Sequence, residues 1–82
     1  MPHTYILYSE KLNKYYVGST TDLNRRIQDH NRGKEIFTKT GTPWEIVHSE
    51  DFEILADARR RELHIKKQKS RKYIERLIAS AG

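Results

Sequence analysis

TYILYSEKLNKYYVGST, residues 4–20, decides how the rest of the chain is read. Two runs rich in β-branched and aromatic residues, Thr4–Ser9 and Lys14–Ser19, flank Glu10-Lys11-Leu12-Asn13. That middle stretch is polar and has turn chemistry, so the pattern predicts an antiparallel hairpin. Successive side chains of a strand face opposite ways. Tyr5, Leu7 and Ser9 therefore share one face, with Ile6 and Tyr8 on the other; on the second strand Tyr16 and Gly18 oppose Tyr15 and Val17. Tyr5 and Tyr16 are thereby expected side by side on one surface. Gly18, without a side chain, would leave space there for a ligand backbone to approach. Tyr8 and Tyr15 are read as packing residues.

Beyond the hairpin, STTDLNRRIQDHNRG carries a helix start, with Thr20, Thr21 or Asp22 as cap and Leu23 and Ile27 one turn apart. Gly33 ends it. KEIFTKTGT, residues 34–42, reads as a polar loop of no fixed placement that is free to touch a ligand. Pro43 leads into a third strand, WEIVHSE, on which Trp44, Ile46 and His48 alternate with Glu45, Val47 and Ser49. A second helix is expected from about Ile54 to Lys67, and a third, capped by Ser70, running to Ala79. The order is ββαβαα, without internal repeat, low-complexity tract or linker.

With 82 residues, the chain is expected to be one domain, residues 1–82. Its 35% apolar residues are enough for a globular core, and with no cysteine neither disulfides nor thiolate metal sites are available. The start, MPHTY, lacks a signal-peptide pattern, and no apolar stretch approaches membrane-spanning length. The cytoplasm is the expected location. Sixteen Lys and Arg against 11 Asp and Glu leave a net charge of +5, which hints at a polyanionic partner.

Helical periodicity separates the informative charges from the solvated ones. With Leu23 at 0°, Ile27 falls at about +40°, Arg26 at about −60° and His30 at about −20°, whereas Arg25 points to solvent at about 200°. Arg26 either lays its stem along the core edge and snorkels or holds its guanidinium at a site. His30 is either a satisfied histidine near the helix end or part of that site. On the second helix, with Leu55 at 0°, Glu62 falls at about −20°, on the packing face with Ala58 and Ile65. A carboxylate there must be paired, protonated or bound to a cation. A salt bridge, for example to Arg26, and ligation of a hard cation such as Mg²⁺ both satisfy it. Arg60, His64 and Lys67 form a solvated basic face. The four histidines show no metal-ligand spacing, and no Gly-rich phosphate loop or Ser-His-Asp pattern occurs.

A tyrosine near the start, Tyr5, followed eleven residues on by Tyr16-Val17-Gly18, resembles the two signature tripeptides of the GIY-YIG nuclease superfamily. Arg26 ten residues after Tyr16 in DLNRRIQDHN, Glu62 in ARRRELHIKK and the segment TPWEIVHSEDF extend the likeness over about Thr4 to Leu77. The small stand-alone members, related to the N-terminal nuclease domain of UvrC-type repair proteins, are the most similar. Two departures stand out: His3-Thr4-Tyr5 keeps only the tyrosine of the first tripeptide, and no Asn occurs beyond Asn31.

The resemblance implies an α/β (α+β) domain with a central three-stranded antiparallel sheet flanked by helices, and metal-dependent hydrolysis of a nucleic-acid phosphodiester. It implies that Glu62 holds a single Mg²⁺ or Mn²⁺ and that Arg26 stabilises the scissile phosphate. Tyr5 and Tyr16 would position or deprotonate the attacking water, with His30 assisting the same proton transfer. The expected partner is DNA, with branched or damaged forms as candidates, in repair or mobile-element processing and with a larger repair complex as a candidate assembly. A non-catalytic nucleic-acid-binding module with the same fold is the alternative, and an interaction domain is the third reading.

Overall fold

The structure, a computed structural model, describes residues 1–81. Its elements run β1 (His3–Ser9), β2 (Lys14–Thr20), α1 (Leu23–Asn31), β3 (Trp44–Asp51), α2 (Leu55–Lys67) and α3 (Arg71–Ala81). The strands form one antiparallel sheet in the order β2-β1-β3, which makes β1 the central strand and β2 an edge. This is the expected α+β arrangement in the expected order. No helix among the described residues is long and apolar enough to cross a membrane.

The hairpin forms because the chain can reverse at Asn13, whose φ of 52° is a conformation that asparagine tolerates. The Tyr8 hydroxyl donates to Asn13 Oδ1 at 2.8 Å, and the Tyr8 and Tyr15 rings pack 5.0 Å apart. Strand alternation then divides the core in two. Tyr5, Leu7 and Trp44 are buried on one face, packed by Leu12, Tyr16 and by Leu23 and Ile27 of α1. Ile6, Val17 and Ile65 are buried on the other, packed by Tyr15, Val47 and by Tyr73, Ile74 and Leu77 of α3. Each fully buried Ile or Leu contributes about 1.5–3 kcal/mol relative to an exposed one.

Local signals set the helix boundaries. Asp22 Oδ1 accepts from the Arg25 amide at 3.1 Å and caps α1. At the other end Gly33, with φ +76°, donates to the His30 carbonyl, and the next amide, Lys34, reaches back to Asp29 at 3.1 Å. That pair of bonds closes the helix end, and the positive φ favours glycine there. Ser70 Oγ accepts from the Tyr73 amide at 3.1 Å and caps α3. Tertiary bonds lock the elements together: Thr4 Oγ1 donates to the Ala58 carbonyl at 2.6 Å, and the Asn31 side chain pairs with both the amide and the carbonyl of Trp44.

Two expectations need correction. Strict alternation along β3 fails, because Ile6 stands opposite His48 and Leu7 opposite Ile46, leaving Val47 as an extra residue in a bulge. Past the bulge, His48 is on the face of Ile6, not that of Trp44, and Ile46 is 38% exposed. His48 bonds Glu50, which Arg61 of α2 clamps with two nitrogens at 2.9 and 3.2 Å. The second correction concerns residues 34–42, which are not an unplaced loop. Thr38 is fully buried, its carbonyl accepts from the Trp44 indole at 2.7 Å, and Ser9 Oγ donates to the Gly41 carbonyl at 2.6 Å.

Candidate active site

The site begins with Tyr5. In the central strand it lies directly opposite Gly18, and its ring covers that glycine: a Cβ on Gly18 would stand 2.5 Å from the Tyr5 hydroxyl. The space above Gly18 is thus filled by a phenol of the chain itself. The expectation that this space admits a ligand backbone is overturned, since the glycine serves the placement of Tyr5.

One turn apart on α1, Arg26 and His30 both reach that phenol. Arg26 Nε donates to the Tyr5 oxygen at 3.4 Å, and His30 Nε2 lies 3.1 Å from it. His30 Nδ1 is 2.8 Å from Thr38 Oγ1. Since Arg26 can only donate, the Tyr5 proton is assigned to the bond with His30 Nε2, which leaves the ring N–H at Nδ1 to donate to Thr38. Arg26 also pairs through its terminal nitrogen with Glu35 at 2.7 Å. Helical periodicity had separated Arg26 from Arg25, and the structure bears this out: Arg26 is half-buried and Arg25 exposed.

Enclosure dominates the electrostatics. Burial pushes the Tyr5 hydroxyl up to about 12, despite the bond and charge of Arg26, which lower it. Burial first, and then the Arg26 charge, hold His30 below its ordinary value, so the imidazole is neutral at physiological pH. Tyr5 is 1% exposed and His30 fully buried, so both are satisfied groups inside the protein and neither presents a free polar atom to water. Tyr16, by contrast, is half-buried, with its ring 5.0 Å from that of His30 and 6.3 Å from Trp44.

Glu62 arrives from the opposite layer and reaches Ser19 on β2, the edge strand of the sheet. Ser19 Oγ donates to Glu62 Oε1 at 2.5 Å, and Lys66 Nζ stands 2.5 Å from Oε2. The same ammonium is 6.0 Å from the centre of the Tyr16 ring. Glu62 also acts on Tyr5, where its charge helps to raise the phenol. The expected partner, Arg26, is taken by Glu35; the partner of Glu62 is Lys66. Beside Arg26 a cleft of about 290 Å³ opens, lined by Thr20, Thr21, Asp22, Arg25, Arg26 and Asp29. A larger cavity, about 610 Å³, lies at the far end of the hairpin against Tyr8, Lys11 and Trp44.

Among the described residues no three His, Cys, Asp or Glu side chains gather in a metal-binding group. Glu62 therefore stands in no such group, with the Ser19 hydroxyl beside it. Such a set suits a hard ion like Mg²⁺, which keeps several waters and is held by one or two carboxylates plus substrate oxygens. That Lys66 already rests a cation on Oε2 is consistent with a position that favours positive charge. Sequence reasoning missed Thr38, Glu35, Ser19 and Lys66. Only Lys66 was signalled, by its four-residue spacing from Glu62 on a helix.

A family model described as the GIY-YIG catalytic domain matches residues 1–74. The chain belongs to the GIY-YIG family. It is 40% identical over 67 residues to a UPF0213 protein of Halobacterium salinarum, covering 80% of this chain and 86% of that one. To the UPF0213 protein YazA of Bacillus subtilis it is 35% identical over 77 residues, covering 89% and 78%. A solution NMR structure of a UPF0213 protein from Bacillus halodurans superposes with a TM-score of 0.61 at 33% identity, covering 100% of this chain and 87% of that one.

Proposed function

We propose that this chain is a divalent-metal-dependent endonuclease that hydrolyses DNA phosphodiester bonds. The observation that carries the reading is the cluster of Tyr5, Arg26, His30 and Tyr16 beside the edge strand β2, with the charge of Glu62 acting on Tyr5. Membership of a family of catalytic domains that are generally endonucleases supports it.

Phosphodiester hydrolysis needs charge stabilisation on the phosphoryl oxygens and an oriented water. Arg26 supplies a guanidinium at the edge of the cleft, held by the Tyr5 oxygen and Glu35 so that it does not have to reorganise. Tyr5 and His30 act as positioning residues: the protonated phenol accepts from Arg26 and donates to the neutral imidazole, which Thr38 anchors. Tyr16 is the phenol that meets solvent and orients the attacking water. Glu62 would hold Mg²⁺ or Mn²⁺, which when bound supplies Lewis-acid stabilisation of the phosphoryl oxygens. Substrates of branched or damaged DNA, and work in repair or mobile-element processing within a larger complex, are the settings proposed with it.

The second reading, a non-catalytic nucleic-acid-binding module, is favoured by the occupation of both Glu62 oxygens and by the exposed basic face of Arg60, His64 and Lys67. One experiment separates the two. Plasmid, single-stranded, branched and RNA substrates are incubated with Mg²⁺, Mn²⁺ or EDTA, using the wild type and Glu62→Ala. We expect metal-dependent cleavage that Glu62→Ala abolishes while binding survives. Binding without metal-dependent cleavage of any substrate would establish the second reading instead.

A further inference from the structure

The segment between α1 and β3 is mostly polar, yet its tip carries two adjacent large apolar residues. Ile36 is 84% exposed and Phe37 is 88% exposed, more than any other large hydrophobic residue described. The residues on either side are tied to the body of the protein. Glu35 pairs with Arg26, and Thr38 is buried against His30 and holds the Trp44 indole on its carbonyl. The tip therefore projects between two residues that are themselves candidate-site contacts.

The surroundings of the tip define what it can receive. Arg32, Lys34 and Lys39, close to it in the chain, are exposed. The nearby acids are already engaged, Asp29 with Lys34 and Glu35 with Arg26, while Arg32 and Lys39 take part in none of the ion pairs among the described residues. Two side chains cannot form a stable protein interface, which needs roughly 800 Å² on each partner. An apolar pair with exposed cations on both sides of it in the chain is instead suited to a ligand with an anionic backbone and flat apolar faces. Nucleic acid has that chemistry: apolar side chains wedge between base steps and aromatic rings stack on unpaired bases.

We propose that Ile36 and Phe37 form a wedge that stacks on an unpaired or unstacked base of the DNA held at the Arg26–Glu62 site. The inference rests on the nucleic-acid reading of that site and names its substrate class: duplexes interrupted by a branch, a bulge or a flap. Because the roots of the wedge are Glu35 and Thr38, base insertion at the tip and phosphate placement at Arg26 are linked through one segment. Such a substrate already exposes a base, so the wedge gains its stacking contact without having to open a continuous duplex.

The test is binding in EDTA, followed by fluorescence anisotropy, with a continuous duplex and the same duplex carrying an unpaired base or a branch. The wild type should prefer the interrupted forms. Phe37→Ala should weaken those complexes by roughly 5- to 100-fold and leave the continuous duplex nearly unchanged. Phe37→Trp should keep the preference, and its new indole should be quenched on binding, against the constant background of the buried Trp44. Arg32→Ala with Lys39→Ala should weaken all forms alike. Both tip residues are exposed, so unaltered circular dichroism and melting will accompany the alanine variants.

The wedge is refuted if Ile36→Ala/Phe37→Ala retains the wild-type preference, or loses affinity equally for continuous and interrupted duplexes. It is also refuted if sedimentation shows a wild-type dimer that this double variant dissolves, since the tip is then a contact between copies. The nuclease reading fails separately: a chain that shows the Phe37-dependent preference in EDTA but never cuts with Mg²⁺ or Mn²⁺ loses the activity and keeps the wedge.

Discussion

A phenol closed in by Gly18, His30 and Arg26 keeps its proton far into alkaline solution. Tyr5 is raised by burial from 10.0 to about 12, while the unfolded chain ionises it near the lower value. The unfolded state therefore releases that proton first as pH rises between the two, and Tyr5 makes stability fall with rising pH across this window. Absorbance titration at alkaline pH should show a tyrosine, lost in Tyr5→Phe, ionising well above 10.0 and close to the onset of unfolding. Gly18 makes a second prediction at this scale. Gly18→Ala must expel the ring or shift the strand, and we expect a loss of about 1–3 kcal/mol in denaturant melts. Cleavage should fall with it, because the Tyr5 oxygen that steadies Arg26 moves. A Gly18→Ala variant with unchanged stability would show that the ring yields easily and that Gly18 is not required to place Tyr5.

At the scale of elements, α1 is the part on which the candidate site depends most. It carries both Arg26 and His30, its start is fixed by Asp22 and its end by Gly33 and the Asn31–Trp44 bonds. Asp22→Ala should lower stability by about 1 kcal/mol. It should also weaken cleavage more than binding, because Arg25 and Arg26 sit in the first helical turns, where fraying is felt most. Cleavage rates matching the wild type in a variant with this stability loss would uncouple the cap from the site. The caps were legible beforehand: Asp22, Ser70 and Gly33 act on amides and carbonyls within a few residues, so neighbours alone reveal them. The bulge at Val47 was not, because it depends on the pairing of β3 with a strand some forty residues earlier. Its consequence, the His48–Glu50–Arg61 clamp on the α2 face, was equally hidden.

For the whole molecule, the net charge of +5 makes association with a polyanion dependent on salt, and the slope reports which surface is in contact. If DNA lies across the β2 edge, Arg25→Ala should reduce the salt slope by about one contact. Arg60→Ala with Lys67→Ala, on the outer face of α2, should leave the slope and the cleavage nearly as they are. The opposite pattern in titrations over a range of salt concentrations would move the binding surface to α2 and support a binding module. The two layers also explain how distant residues meet: a short edge strand lets α2 present Glu62 and Lys66 to side chains standing on the opposite face.

Periodicity alone determined the hairpin and its two faces, the order of elements, the choice of Arg26 over Arg25 and the oddity of a carboxylate at Glu62. Alternation and helical pitch are properties of the backbone, and each can be read within a dozen residues. Only the tertiary structure decided that Gly18 makes room for Tyr5, that Arg26 pairs with Glu35 and Glu62 with Lys66, that Thr38 anchors His30, and that Ile36 and Phe37 project from a fixed segment. Partners are selected by which surfaces the packed layers bring within a few ångströms, and spacing along the chain carries no record of that selection. TYILYSEKLNKYYVGST specifies a hairpin; the helices packed around it determine which of its tyrosines is enclosed and which meets solvent.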